Sequence, residues 1–235
     1  MATQYAFGKI VTDGLVLALD AADRNSYPGS GTTWRDMSGN NSNSTLTNSP
    51  TFNSANGGSI VFDGIDDYTT TTAGQAFYQY TNQLSVCWWI KRNGDLLTGA
   101  GCGQSTLSLD DMTSNVWLMH GNTNNTVTFY VNDNGAWKNI ASSILDNNTW
   151  YFLAGTINTS NIIMYINGTL YGTSTGISTG IVNNSNSVVA LGRDPRASSG
   201  RYLNGSIANI QVYNRTLSTS EILQNYNSQK SRFNL

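Results

Sequence analysis

Short runs of alternating apolar and polar side chains recur along the chain, separated by clusters of Gly, Asn, Asp, Ser and Thr. In LSVCWWIK, Leu84, Val86, Trp88 and Ile90 alternate with Ser85, Cys87, Trp89 and Lys91, the period of two that puts one face of a strand in a core. Trp89, on the opposite face, is a second candidate for burial. Runs of the same kind are GLVLALD, SIVFDG, VWLMHG, TVTFYVND, WYFLAGTI, IIMYING, SVVALG and IANIQVY. Many short strands at this spacing predict an all-β, antiparallel two-sheet sandwich. Asn134-Gly135 and Asn167-Gly168 each sit between strand-like runs and supply the positive-φ residues that a tight hairpin needs.

One segment breaks the pattern. LSTSEILQNYNSQ predicts a single short C-terminal helix: Ser218 caps the first turn, Glu221 reaches back to it, and Leu217 staples onto Ile222. Ile222, Leu223 and Tyr226 form the apolar stripe expected to dock on the sandwich. No repeat, charge block or Pro-rich linker divides the chain, so residues 13–227 are expected to form one domain. Residues 1–12 are expected as an N-terminal arm and residues 228–235 as a C-terminal tail.

Composition narrows the function. Of 235 residues only 11% are charged and 39% are hydrophobic, so the surface must consist largely of neutral Asn, Ser, Thr and Gly. A net charge of -2 provides no basic field for nucleic acid or for anionic membranes. The expectation is therefore no nucleic-acid partner. No apolar run approaches the length needed to span a bilayer as a helix, and the N-terminal stretch lacks the pattern of an export signal; no membrane insertion is expected. Cys87 and Cys102 are expected as free thiols, and no zinc spacing is present.

The 14 acidic residues comprise one glutamate, Glu221, and 13 aspartates. Glycoside hydrolysis needs two carboxyl groups facing each other across the scissile bond, and here the sole glutamate is committed to a helix cap. The only histidine is His120, unaccompanied by a nucleophile elbow, so no catalytic residue is assigned and the protein is expected not to be an enzyme. In SIVFDGIDDY, Asp63, Asp66 and Asp67 crowd a strand end. They are turn formers hydrogen-bonding nearby amides, ligands of a hard divalent cation that relieves their mutual repulsion, or catalytic acids. In RDMSGNNSN, Asp36, Ser38 and Asn40 make a second oxygen-rich candidate. The candidate metal residues are thus Asp36, Asp63, Asp66 and Asp67.

Aromatic faces stack on sugars while Asn, Asp and backbone groups bond the hydroxyls. Trp34, Tyr68, Trp117, Trp137 and Tyr202 lie in or beside predicted turns, and the loop GRDPRASSGRY concentrates Arg193, Arg196 and Arg201 in a charge-poor chain. These eight residues are the candidates for contact with a glycan or a partner.

Several strings together resemble the laminin-G-like, concanavalin A-like jelly-roll family. They are DGLVLALDAADRNSYPGSGTTWRDMSGNNSN, GSIVFDGIDDY, LSVCWWIK, NTWYFLAGTINTSNIIMYINGTLYG and LNGSIANIQVYNRTLSTSEILQNYN, which run in the family's order over nearly the whole chain. The opening segment and NYNSQKSRF are similar, more narrowly, to laminin-G-like virion proteins of tailed bacteriophages. The resemblance implies a jelly-roll sandwich, one structural calcium ion, and adhesion or carbohydrate binding rather than catalysis. It further implies a virion structural protein, as a capsid decoration, appendage or fibre component, made in the host cytoplasm and carried on the virion surface. The expected partners are other virion proteins, host-surface glycans and further copies of the chain in a homo-oligomer. A free-standing lectin is the alternative reading, and a glycoside hydrolase a third. Where family members place Asp-Glu in the penultimate strand this chain has Ala208-Asn209, and the usual S-G-N-G-N-H-G run is Ser38-Gly39-Asn40-Asn41-Ser42-Asn43-Ser44. Both departures remove ligating or turn-specific groups.

Overall fold

A computed structural model of the protein describes residues 9–72, 83–94, 105–110, 118–121, 125–133, 136–177, 188–194 and 201–235. The described residues form two antiparallel sheets and one helix. The first sheet holds β14 (Thr169–Thr175), β13 (Asn161–Ile166), β12 (Trp150–Ile157), β7 (Leu84–Arg92), β16 (Asn204–Tyr213), β5 (Ser59–Asp63) and β4 (Thr51–Asn53) in that order, with β1 (Leu15–Asp20) also paired to β16. The second runs β11 (Ala136–Ile144), β10 (Thr126–Asp133), β9 (Leu118–Gly121), β8 (Ser105–Asp110), β15 (Val188–Leu191), β6 (Tyr68–Thr72), β3 (Ser44–Thr47) and β2 (Thr33–Trp34). Helix α1 spans Thr219–Gln229 and runs into a 3-10 turn, Lys230–Phe233.

The strand β7 explains why the first sheet is buried on both sides. Leu84, Val86, Trp88 and Ile90 enter the main core with Leu153, Ile157, Ile207, Val212 and Phe62, facing Phe129, Val131, Val189 and Leu191 of the second sheet. Cys87 and Trp89 point the other way into a second cluster with Phe152, Ala154, Tyr165, Leu217, Ile222 and Phe233. Alternation therefore persists, but each parity meets its own hydrophobic cover. The two sheets approach closely at Gly155, where a Cβ would lie 2.3 Å from the Phe129 ring.

The Asn167-Gly168 turn sits where the sequence puts it. Asn167 and Gly168 have φ of 50° and 76° between the paired residues Ile166 and Thr169, the two positive-φ positions of a twisted hairpin turn. Asn134-Gly135 lies outside the described residues, but β10 and β11 pair up to Asp133 and Ala136 on either side.

The described part of the N-terminal segment, residues 9–12, and the C-terminal segment are not free arms. The Val11 amide donates to Asn225 Oδ1 at 2.8 Å, and the Tyr213 hydroxyl donates to the Val11 carbonyl at 3.0 Å, so the chain is docked before residue 13. The 228–235 segment is likewise no free tail. Phe233 is buried, its ring stacked 4.0 Å from Trp89 and tilted against Trp150 at 4.8 Å. Arg232 forms an ion pair with Asp20 at 3.0 Å and donates to the Asn56 carbonyl. An eleven-residue helix is too short to cover an apolar sheet face, and the turn after it completes the cover.

The capping box forms as expected: Glu221 N donates to Ser218 Oγ, and Ser218 N donates to Glu221 Oε2 at 2.8 Å. The docking stripe differs in one residue. Leu223 is exposed, while Ile222, Asn225 and Gln229 are buried and Tyr226 half-buried. Positions i+3, i+4 and i+7 from Ile222 are Asn225, Tyr226 and Gln229. The two amides fit because the sheet beneath offers polar groups: Asn225 Nδ2 donates to the Tyr213 hydroxyl, and Asn209 Nδ2 donates to Gln229 Oε1. Ala208 and Asn209, the departures from the family's acidic pair, both lie buried under this segment. No helix among the described residues is long and apolar enough to cross a membrane.

Candidate functional site

The chain passes from the first sheet to the second through the loop between β5 and β6, and this loop carries the three aspartates. Asp63 ends β5 and Gly64 adopts φ 80°, a conformation in which a Cβ would meet Asn204 at 2.8 Å; glycine is required here on both counts. Asp63 Oδ1 accepts from the amides of Ile65 at 2.8 Å, Asp66 at 3.3 Å and Asp67 at 3.4 Å. Asp67 Oδ2 in turn accepts from the Asp63 amide at 3.2 Å. The loop is thus closed by two aspartates, each bonded to the other's backbone.

Electrostatically the two differ. Burial raises the Asp63 carboxyl, but bonds from the amides around it outweigh that and hold it below its ordinary value. Asp67 is buried, and desolvation, then the Asp63 charge, push it up to about 6. One carboxylate oxygen from each of Asp63, Asp66 and Asp67 lies within 4.8 Å of the others, an all-oxygen cluster of the kind a hard cation takes. Asp36 is not part of this cluster. Its Oδ1 accepts from the amides of Ala18 and Ser38, both at 2.9 Å, and its Oδ2 accepts from the Ser42 amide at 3.0 Å and the Ser38 hydroxyl at 2.7 Å. That carboxylate is spent on tying its own loop to β1, which corrects its assignment as a metal ligand.

One residue beyond Asp67, the pleat turns Tyr68 to the outer face of the second sheet, since its neighbour Thr69 pairs with the core residues Leu46 and Leu191. Arg193 stacks there, its guanidinium carbon 3.8 Å from the Tyr68 ring centre. Tyr202 joins through an antiparallel bridge to Arg193, its ring 6.5 Å from that of Tyr68. Arg201 behaves differently: it forms an ion pair with the fully buried Asp194 carboxylate at 2.5 Å. Of the eight candidates, the structure therefore brings Tyr68, Arg193 and Tyr202 into one cluster with Arg201 at its border.

Trp137 belongs elsewhere. It is exposed on β11, with Tyr130 edge-on at 6.3 Å. Five strand steps separate β11 from β6, or about 24 Å at the usual spacing. Trp34 is a correction. It is fully buried in the core, because the short pairing of β2 with β3 directs it inward, and it has no face to offer a ligand. Trp117, Arg196 and Cys102 lie outside the described residues; His120 sits on β9, paired with Thr128 and Ser105. Cys87 is a free, buried thiol pushed up to about 12 by burial.

The lone glutamate is fully engaged. Arg215 Nη2 lies 2.5 Å from Glu221 Oε1, and bonding by Arg215 holds the carboxyl down at about 2, so it stays ionised and is no proton donor near neutrality. Asp63 and Asp67 sit side by side in one turn rather than on opposite walls of a cleft, as glycoside hydrolysis requires. What sequence reasoning missed is the pairing of Arg201 with Asp194, which singles out Arg193. The adjacency of Arg193 and Asp194 gives no hint that the acid bonds the more distant arginine.

A family model described as the concanavalin A-like lectin/glucanases superfamily matches residues 62–223. No curated protein matches the chain. Among solved structures, the binding domain of Paraclostridial Mosquitocidal Protein 1 aligns with a TM-score of 0.72 at 16% identity, over 92% of this chain and 52% of that one. The binding domain of botulinum neurotoxin DC in complex with rat synaptotagmin II aligns at 0.72 and 18% identity, over 93% and 52%. The botulinum neurotoxin serotype D ligand-binding domain in complex with N-acetylneuraminic acid aligns at 0.71 and 18%, again over 93% and 52%. At these identities the likeness is one of fold, and the chain spans about half the length of each of these structures.

Proposed function

Because the chain belongs to the concanavalin A-like lectin/glucanases superfamily, we propose that it acts by recognition, as a non-enzymatic, lectin-like module that binds host-surface glycans. The observation that carries this reading is the cluster of Tyr68, Arg193 and Tyr202 on the outer face of the second sheet: two aromatic rings and a guanidinium. Binding domains of the same fold have been solved with synaptotagmin II and with N-acetylneuraminic acid, which supports a role in surface recognition. A glycan array probed with the intact protein tests it. Binding should fall for Tyr68→Ala, and an array without a single bound glycan would remove the carbohydrate reading. Polysaccharide cleavage abolished by Asp67→Asn would remove the non-enzymatic one.

The setting we propose is a bacteriophage virion, where the chain serves as a capsid decoration, appendage or fibre component and self-associates as a homo-oligomer. The support is the likeness of DGLVLALDAADRNSYPGSG and NYNSQKSRF to virion proteins, and the neutral Asn/Ser/Thr surface of a chain with 11% charged residues. Mass spectrometry of purified particles separates this from a free-standing lectin, which would be absent from them.

We also propose one structural calcium ion held by Asp63, Asp66 and Asp67. Three converging carboxylates, one of them raised to about 6 by burial and by its neighbour, carry a repulsion that a dication would offset. Calcium should raise the melting temperature and a chelator lower it, by mass action on the folded state; a melt indifferent to both would exclude the ion.

A further inference from the structure

The recognition cluster contains a cation without a counter-ion among the described residues. Arg193 and Arg201 flank the same loop, and Asp194 follows Arg193 directly, yet Asp194 gives its buried carboxylate to Arg201 at 2.5 Å. Arg193 is left stacked on Tyr68 at 3.8 Å. Its Nε is buried without a hydrogen-bond partner. Leaving a buried donor of a charged group unmatched is costly, and in this charge-poor protein no other acid among the described residues pairs with it.

Stacking fixes what Arg193 can bind. A guanidinium lying flat on a ring keeps its N–H donors in its own plane, at the ring's edge, where they form a fork that matches the two oxygens of a carboxylate. Tyr202, bridged to Arg193 and tilted by 36° to Tyr68, adds a second aromatic surface beside that fork. Of the three loop aspartates, Asp67 is buried and accepts from the Asp63 amide, while Tyr68 is on the outer side of the sheet.

We propose that Arg193, Tyr68 and Tyr202 form a subsite for a carboxylated sugar, of the sialic or uronic acid class, with Arg193 holding the carboxylate and the tyrosines the sugar ring. This rests on the carbohydrate reading above and names the ligand class for it.

The test is affinity of the full chain, by calorimetry, for matched pairs: N-acetylneuraminyl-lactose against lactose, and trigalacturonate against its carboxyl-reduced form. At least one charged member should bind about tenfold or more tightly than its neutral partner, the size of a charge-assisted bond. The difference should shrink with added salt, collapse in Arg193→Gln, and be kept only in part by Arg193→Lys, which has charge but no planar fork. Arg193→Lys also serves if the glutamine variant melts early. The sialic and uronic pairs distinguish the two sugar classes. Equal binding of charged and neutral members, or unchanged discrimination in both variants, would overturn the subsite and leave the carbohydrate reading standing. If no member of either pair bound and the array were blank as well, the reading underneath would fall with it.

Discussion

At the scale of single residues, Asp67 shows how position outweighs type. Asp63, Asp66 and Asp67 are equivalent in the sequence, yet the turn gives Asp63 a set of amide donors and puts Asp67 under cover. With its carboxyl at about 6 against an unfolded value near 4, the folded state binds the proton more tightly than the unfolded chain does. In the absence of divalent ions this contribution should therefore make the protein more stable as pH falls from about 6 to about 4. Asp67→Asn keeps the acceptor for the Asp63 amide, should raise stability at pH 7 by about 1–2 kcal/mol, and should flatten that slope in pH-dependent melts. A mutant whose pH profile matched the wild type would show that Asp67 is not the group responsible. Gly155 is a second residue whose role appears only in three dimensions. It faces Phe129 with no room for a methyl group, and Gly155→Ala should cost about 1–3 kcal/mol by overpacking, read from chemical denaturation.

At the scale of elements, the strands and the helix were legible because their signals are local: a period of two, Asn-Gly turns, and a Ser218–Glu221 capping box. The box also has a pH signature. Glu221 is held at about 2 by Arg215, below its unfolded value, so its stabilisation is present above about pH 4 and is lost as pH falls toward 2. Ser218→Ala should cost about 1 kcal/mol. The cover provided by the 3-10 turn was not legible, since NSQKSRFNL is mostly polar and Phe233 is its one aromatic side chain. Phe233→Ala removes a ring stacked on Trp89 and should cost about 3 kcal/mol. It should also shift tryptophan emission to the red as water reaches Trp89 and Trp150. Unchanged emission would mean that the segment does not cover these indoles in solution.

At the scale of the whole molecule, one sheet is sandwiched between its partner sheet and a helical strap, and the outer face of the partner sheet carries Tyr68 with Arg193 stacked on it. Closing the strap requires contacts between chain ends, such as Arg232 with Asp20 and Val11 with Asn225. Their loss should therefore lower overall stability rather than loosen one end. Arg232→Ala leaves the partly buried Asp20 carboxylate without its ion-pair partner, and its melting temperature should fall by several degrees, the response of one cooperative unit. A melt that split into two transitions would contradict that unity.

Periodicity and turn chemistry determined by themselves that this chain is an antiparallel β-sandwich with one capped C-terminal helix, because alternation and φ preferences act within a few residues. Composition alone set the scarcity of charge and of acid–base groups. The tertiary structure decided what distance along the chain conceals: that Trp34 is core, that Asp36 is spent on a loop, that Asp194 bonds Arg201 and leaves Arg193 on Tyr68. Burial and ion pairing depend on which strands become neighbours, and hydrogen bonds between residues far apart in sequence leave no periodic trace in it.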